Sequence, residues 1–104
     1  MGVLRVSART HPMQMAKAMA GMIHKYNHAE IQAIGRPAVH QAMKGIAQAI
    51  AHFKEKGIQL GFTATLIEAG AEDNEKEGFR FIVEPFTPLL SPEVSKDRTV
   101  ELIF

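Results

Sequence analysis

The chain has 104 residues, of which 46% are hydrophobic and 22% charged, as is typical of one small globular domain. It contains no cysteine, which excludes disulfides, thiolate catalysis and cysteine-ligated zinc. No run of about 18 apolar residues would cross a membrane, and the N-terminus lacks the apolar core of a secretory signal. These features favour the cytoplasm.

Charge is divided unevenly along the chain, although the formal net charge is only +1. Residues 1–56 hold eight Lys or Arg and two acidic residues, whereas residues 57–104 hold four basic and nine acidic residues. All five histidines lie in the basic half. We therefore expect the first half to face an anionic partner, the alternative being that the charges only keep both halves soluble.

The first two elements are a strand and a helix. Alternation of apolar and polar residues over 3–8 predicts a half-buried strand. Pro12 then suits the first turn of a helix over 12–26. Its apolar residues share one stripe, which we expect to be core: Met15, Met19, Met22, Ile23 and Tyr26.

A second strand and helix follow. Residues 27–35 predict a turn and a strand, and residues 37 to about 54 predict a helix that ends before Gly57. The residues expected to be buried in this helix are Val39, Met43, Ile46, Ile50 and Phe53. Its other side presents His40, Lys44 and Gln48.

The second half predicts two more strands, over 58–66 and 79–84, joined by an acidic connection over 68–78. The fourth strand ends at Pro85. The order β-α-β-α-β-β predicts an α+β two-layer fold, with a four-stranded mixed sheet covered by two helices on one face. The open face would carry Arg5, Ser7, Gln32, Thr63 and Arg80.

The aromatic residues and the C-terminal segment complete the prediction. Phe62, Phe79 and Phe81 share the alternation of the buried residues, so we expect them in the core, leaving no platform for stacked bases. Residues 1–86 form the predicted domain. Residues 87–104 are a C-terminal extension that is irregular at first, with an extra strand possible over 99–104.

Several segments resemble the stage V sporulation protein S family. They are VLRVSA, AKAMAGMI, AEIQAIGRPAVHQAMKGIAQAIAHF, GIQL and FIVEP, within residues 3–86. That family in turn resembles the Alba superfamily of chromatin and RNA-binding proteins. The resemblance implies the β-α-β-α-β-β fold, a homodimer, and a role in sporulation or developmental regulation. It also implies that nucleic acid meets the loop after the first strand, the loop entering the second helix, and a β-hairpin arm at about residues 66–80.

Carried over to this sequence, the first loop offers Arg9 and His11, and the second is Gly35-Arg36-Pro37. Three departures stand out: the first loop lacks the paired lysines of Alba proteins, Arg36-Pro37 replaces smaller residues, and the arm is acidic. Against Lys76 alone, the arm carries Glu68, Glu72, Asp73, Glu75 and Glu77.

The start of the second helix has the chemistry of an anion site. We expect free backbone N–H groups at Ala38, Val39 and His40, which together with the helix dipole attract phosphate. The Arg36 guanidinium can bind phosphate bidentately. The alternative is a solvated arginine at an ordinary helix start. The candidate nucleic-acid-binding residues are Arg9, His11, Arg36, His40, Lys44 and Arg80.

These residues predict a small regulatory protein that binds DNA or RNA phosphates with little sequence specificity. We expect no enzyme, cofactor or metal, because no catalytic constellation is evident and His24 and His28 have no third ligand. The alternative is a protein-docking module without nucleic-acid binding, which would use the acidic arm or residues 99–104. Gly21, Ala42 and Gly45 would allow close packing in a dimer, or could serve the core.

Overall fold

The computed structural model describes residues 2–71 and 74–86, and the side chains of residues 2–68 and 77–86. The predicted extension 87–104 with its strand 99–104, and the arm residues Glu72 and Asp73, lie outside the described residues. The elements in chain order are β1 (Leu4–Val6), α1 (Pro12–Tyr26), β2 (Ala29–Ile34), α2 (Arg36–Glu55), β3 (Leu60–Ala71) and β4 (Asn74–Pro85). This confirms the predicted fold class.

Local signals set both ends of α1. His11 is the N-cap and Pro12 occupies the first turn, where its missing N–H is not needed. At the other end Asn27 adopts the left-handed conformation, with φ 67°, and its N–H donates to the Ile23 carbonyl at 2.8 Å. The helix therefore has the bounds that the sequence predicts.

The buried face of α2 is only partly the predicted one: Ile46 and Phe53 are buried as predicted, at 0% and 1% exposed. Met43 is 37% exposed, and Val39 and Ile50 are only half-buried. The buried positions are instead mostly small: Ala38, Ala42, Gly45, Ile46, Ala49 and Phe53. A Cβ on Gly45 would lie 2.5 Å from the Met15 sulfur, so this face lets α1 and α2 approach closely.

The sheet has the strand order β1-β2-β4-β3. β1 and β2 are parallel, and the other two pairs are antiparallel. The prediction that strands end at 66 and resume at 79, with an acidic connection over 68–78, is wrong, whereas the hairpin arm that the resemblance implies at about 66–80 is confirmed. Backbone pairing continues from Glu68 opposite Glu77 to Ala71 opposite Asn74, which forms a hairpin arm. The ladder needs no buried side chain, so an acidic sequence does not prevent it.

The helices cover one face of the sheet. Phe81 and Val83 of β4 lie in this core with Ile31 of β2, each at most 3% exposed. Phe81 confirms the prediction, and Phe79 is partly buried against the same core. Phe62 is 39% exposed, which contradicts its predicted position in the core, because β3 is an edge strand of the sheet.

Candidate nucleic-acid interface

The loop after β1 is a tight polar turn. The Ser7 N–H donates to Thr10 Oγ1 at 2.8 Å, and the Thr10 N–H donates to the Ser7 carbonyl at 3.1 Å. The Arg9 N–H donates to Ser7 Oγ at 3.2 Å. These bonds use the polar groups of the turn internally, so the exposed Arg9 side chain is what the loop offers to a ligand.

His11 has a structural role that the sequence prediction missed. Its Nδ1 accepts a hydrogen bond from the Met13 N–H at 3.2 Å, which caps α1. An accepting Nδ1 carries no proton, so the proton of the neutral ring is on Nε2. The exposed imidazole can therefore cap the helix and still donate one hydrogen bond to an anion.

The entrance of α2 leaves fewer free N–H groups than expected. Gly35, with φ 94°, donates its N–H to the Glu77 carbonyl at 2.9 Å. The Val39 N–H donates to the Gly35 carbonyl at 3.0 Å, so its prediction as a free donor is wrong. His40 lies a residue deeper, beyond the first-turn positions that lack helical acceptors. Since Pro37 has no N–H, Arg36 and Ala38 hold the remaining first-turn donors.

The electrostatics of this entrance favour an anion. No side chain caps α2, and its first turn contains no acidic residue. The partial positive charge of the helix start is therefore not neutralised within the helix, and the exposed Arg36 adds a full charge to it. The corner has the properties of an anion site built from backbone and guanidinium together.

One hydrogen bond ties the two loops to each other. Gln41 Nε2, in the second turn of α2, donates to the Thr10 carbonyl at 2.8 Å, in a partly buried position. Carboxyl ends of adjacent parallel strands meet at one edge of a sheet, so the exits of β1 and β2 already lie there. This bond fixes the Arg9 loop against the entrance of α2, and sequence reasoning did not identify Gln41.

The six candidate residues do not form one cluster. Arg9, His11 and Arg36 belong to the two tied loops, and the exposed His40 lies one turn further along α2. Lys44 is exposed about 12 Å along the helix from Arg36, at 1.5 Å per residue. Arg80 lies on the open face of the sheet, where its guanidinium is 3.6 Å from the Glu30 carboxylate.

Metal-binding clusters and membrane-spanning helices are two other features that bear on function. Among the side chains of residues 2–68 and 77–86, no three of His, Asp or Glu are grouped closely enough to hold a metal ion. Neither helix of the described ranges is long and apolar enough to cross a membrane.

The order of the elements and the sheet topology indicate the structural class of the protein, and a sequence comparison then gives its family. The β-α-β-α-β-β order, with two helices on a four-stranded mixed sheet, is consistent with the Alba-like superfamily. A family model described as stage V sporulation protein S matches residues 2–86. The chain belongs to this family, whose membership implies a sporulation-related role.

Proposed function

We propose that this protein is a nucleic-acid-binding regulator, and not an enzyme, which holds phosphates at the corner formed by Arg9 and Arg36. One observation carries the proposal: the Gln41–Thr10 bond joins two loops that each present an exposed arginine, beside a helix start without acidic neutralisation. Guanidinium forks and free backbone N–H groups are both suited to phosphate oxygens. A cytoplasmic location, favoured by the absence of cysteine, is part of the proposal.

The proposed binding has little sequence specificity. Arginines that contact phosphates fix the position of a nucleic acid but do not read its bases. Among the described residues, the hairpin arm formed by β3 and β4 has the shape of a ribbon that would enter a groove. The arm places Glu68 opposite Glu77, and paired carboxylates are repelled by phosphates.

We also propose that the protein is a homodimer joined through β3. This strand forms one edge of the sheet, and on its helix side Phe62 and Leu66 are 39% and 52% exposed. From Leu60 to Ile67 this edge strand carries no charge, and an uncharged edge is a template for pairing with another strand. Antiparallel pairing centred on Ala64 would place Phe62 of each copy opposite Leu66 of the other, as a two-fold interface requires.

Fluorescence anisotropy with labelled duplex DNA, single-stranded DNA and RNA, at several salt concentrations, tests the proposed function. Affinity that falls linearly on a log–log salt plot counts neutralised phosphates, at a slope of about −0.9 per duplex contact. Arg36→Glu should weaken binding and reduce the slope by about one contact. The matched control is Lys17→Glu, which makes the same charge change on the exposed surface of α1.

Equal affinities of Arg36→Glu and the unsubstituted protein would contradict the assignment of the corner. Absence of binding to all three probes at low salt would overturn nucleic-acid binding altogether. That outcome would favour the alternative, a regulatory protein-docking module that purifies free of nucleic acid.

A further inference from the structure

The face of the sheet that the helices leave uncovered carries a continuous polar row. Arg5 of β1 is paired with Gln32 of β2, Gln32 with Arg80 of β4, and Arg80 with Thr65 of β3. Directly paired residues point to the same face, so one side chain from every strand contributes to this row. Arg5, Arg80 and Thr65 are exposed and Gln32 is half-buried. The face can therefore form ionic and neutral hydrogen bonds.

Among the described side chains, the cations of the open face are arginines, whereas the lysines lie on the helices or at the end of α2. The described lysine side chains all belong to the helices or to the C-cap of α2: Lys17, Lys25, Lys44, Lys54 and Lys56. Arg5 and Arg80 lie on the open face of the sheet. Arg9 lies in the loop after β1 and Arg36 is the first residue of α2, both at the loop edge of that face. Solubility alone requires no such division. Arginine is the cation whose planar fork binds phosphate and whose flat faces stack on bases.

The far end of the open face carries an exposed aromatic ring. A Cβ on Gly61 would lie 2.9 Å from Cδ1 of Phe86, so the ring rests on the backbone of Gly61. Gly61 is paired with Glu84, which belongs to the same face as Arg80. Phe86 is 48% exposed and lines a cleft of about 260 Å³ with Thr63 and Glu84. The sequence prediction weighed Phe62, Phe79 and Phe81 as stacking residues but not Phe86, whose exposed ring offers a face to a base.

The dimensions of the face discriminate between single and double strands. Four strands at about 4.8 Å spacing span about 14 Å between the outer axes, which is wider than the 12 Å major groove of a duplex. The flat face therefore cannot reach base edges inside a duplex. A single strand exposes its bases to the Gln32 amide, to the Thr65 hydroxyl and to the Phe86 ring.

We infer that the open face is a binding path for single-stranded nucleic acid, which runs from the loop edge at Arg36 to Phe86. This inference rests on the proposed function, because it extends the same phosphate site and names its substrate class. Arg5 and Arg80 neutralise backbone phosphates, Gln32 and Thr65 contact base edges, and Phe86 stacks on a base. Glu84 accepts a hydrogen bond from an exocyclic amino group.

The test is anisotropy of the full chain with labelled single-stranded RNA, single-stranded DNA and a duplex of the same sequence. Four arginine contacts predict a single-strand salt slope of about −2.8, and Arg5→Ala should lower it to about −2.1. Phe86→Leu keeps an apolar side chain on Gly61 but removes the aromatic face. It should weaken single-strand binding by about 5- to 150-fold, the loss of one stacked base, with duplex affinity unchanged.

The controls separate this inference from the proposed function. Lys17→Ala and Lys54→Ala remove a helix-layer charge and should leave single-strand affinity near that of the unsubstituted protein. Arg80→Lys keeps a cation beside Glu30 but loses the planar fork, so it should lower affinity with little change in slope. Thermal melting establishes that each variant is folded before its affinity is compared.

Three outcomes would overturn the open-face path. In the first, Arg36→Glu weakens binding but Arg5→Ala and Phe86→Leu bind a single strand normally. This result would support the phosphate site at the corner and refute the path on the open face. Equal losses for duplex and single strand would remove the single-strand preference. In the third, the unsubstituted protein itself binds none of the probes, which would refute the proposed function as well.

Discussion

Replacement of His11, the N-cap of α1, measures how much this cap contributes to the free energy of unfolding. In His11→Ala the Met13 N–H loses its acceptor, and an N–H of the first turn has no helical carbonyl to replace it. Loss of an N-cap costs 0.5–2 kcal/mol. Because Met13 is 50% exposed, water can replace part of the bond, which places the expected loss at about 0.5–1 kcal/mol.

For a chain of this size, that loss corresponds to a decrease in Tm of about 2–8 °C, measured by circular dichroism or calorimetry. His11→Asn is the matched control, since its side-chain oxygen can cap the helix and should restore the Tm. His11→Asp should cap equally well and gain about 0.3–1 kcal/mol from the dipole, because the first turn holds no acidic residue. An alanine variant that melts with the unsubstituted protein would refute the role of the cap.

The same series separates stability from binding. His11→Asp places a negative charge two residues from Arg9, so it should weaken nucleic-acid binding while it preserves the Tm. A variant that binds more weakly only because it is less folded would show a lower Tm together with the lower affinity.

Two further predictions concern the sheet. Gly78→Ala would place a Cβ against the Ala33 carbonyl and 2.9 Å from Cα of Ile34, so the β2–β4 ladder must shift, at a cost of about 1–3 kcal/mol in chemical denaturation. Gly21→Ala, with open space around it, is the control, and an equal loss there would contradict the steric reasoning. Leu66→Glu should convert the proposed dimer to a monomer in light scattering, whereas Gln48→Glu should not. A monomeric unsubstituted protein would refute the interface.

Where structure depends on local chemistry, the sequence was sufficient. Both ends of α1 are set by residues with strong positional preferences, a proline in the first turn and a left-handed Asn27 at the end. Gly57, with φ 80°, follows α2 as predicted. The alternation in β2 places Ile31 and Ala33 in the core, and the structure has both at 0% exposure.

Where structure depends on tertiary packing, the sequence prediction failed. Ranking residues by hydrophobicity selected Met43, but the α1–α2 contact requires small side chains such as Ala42 and Gly45. The exposure of Phe62 follows from the position of β3 at the edge, which alternation along one strand cannot show. The polarity of residues 68–78 predicted a connection because hydropathy does not detect backbone pairing, and only the resemblance indicated a hairpin there.

The candidate site shows the same division. Arg9 was found through the loop position that the resemblance to Alba-like proteins implies, and Arg36 also through the chemistry of a helix start. Both remain predictions as phosphate contacts. The bond from Gln41 has no sequence signature, since it depends on a distance between elements. The capping bond of His11 is local, but histidine is not among the residues that usually cap a helix. Pairing across the open face likewise emerges only when the register of all four strands is known.

The bond between Gln41 and the Thr10 carbonyl joins positions 31 residues apart in the chain. Folding has therefore already immobilised the two loops before a ligand arrives. A loop that must be ordered on association loses about 0.5–1.5 kcal/mol of affinity per restrained side chain. Here that entropy is lost during folding, so preorganisation allows a site with only a few charges to bind phosphate without a conformational step.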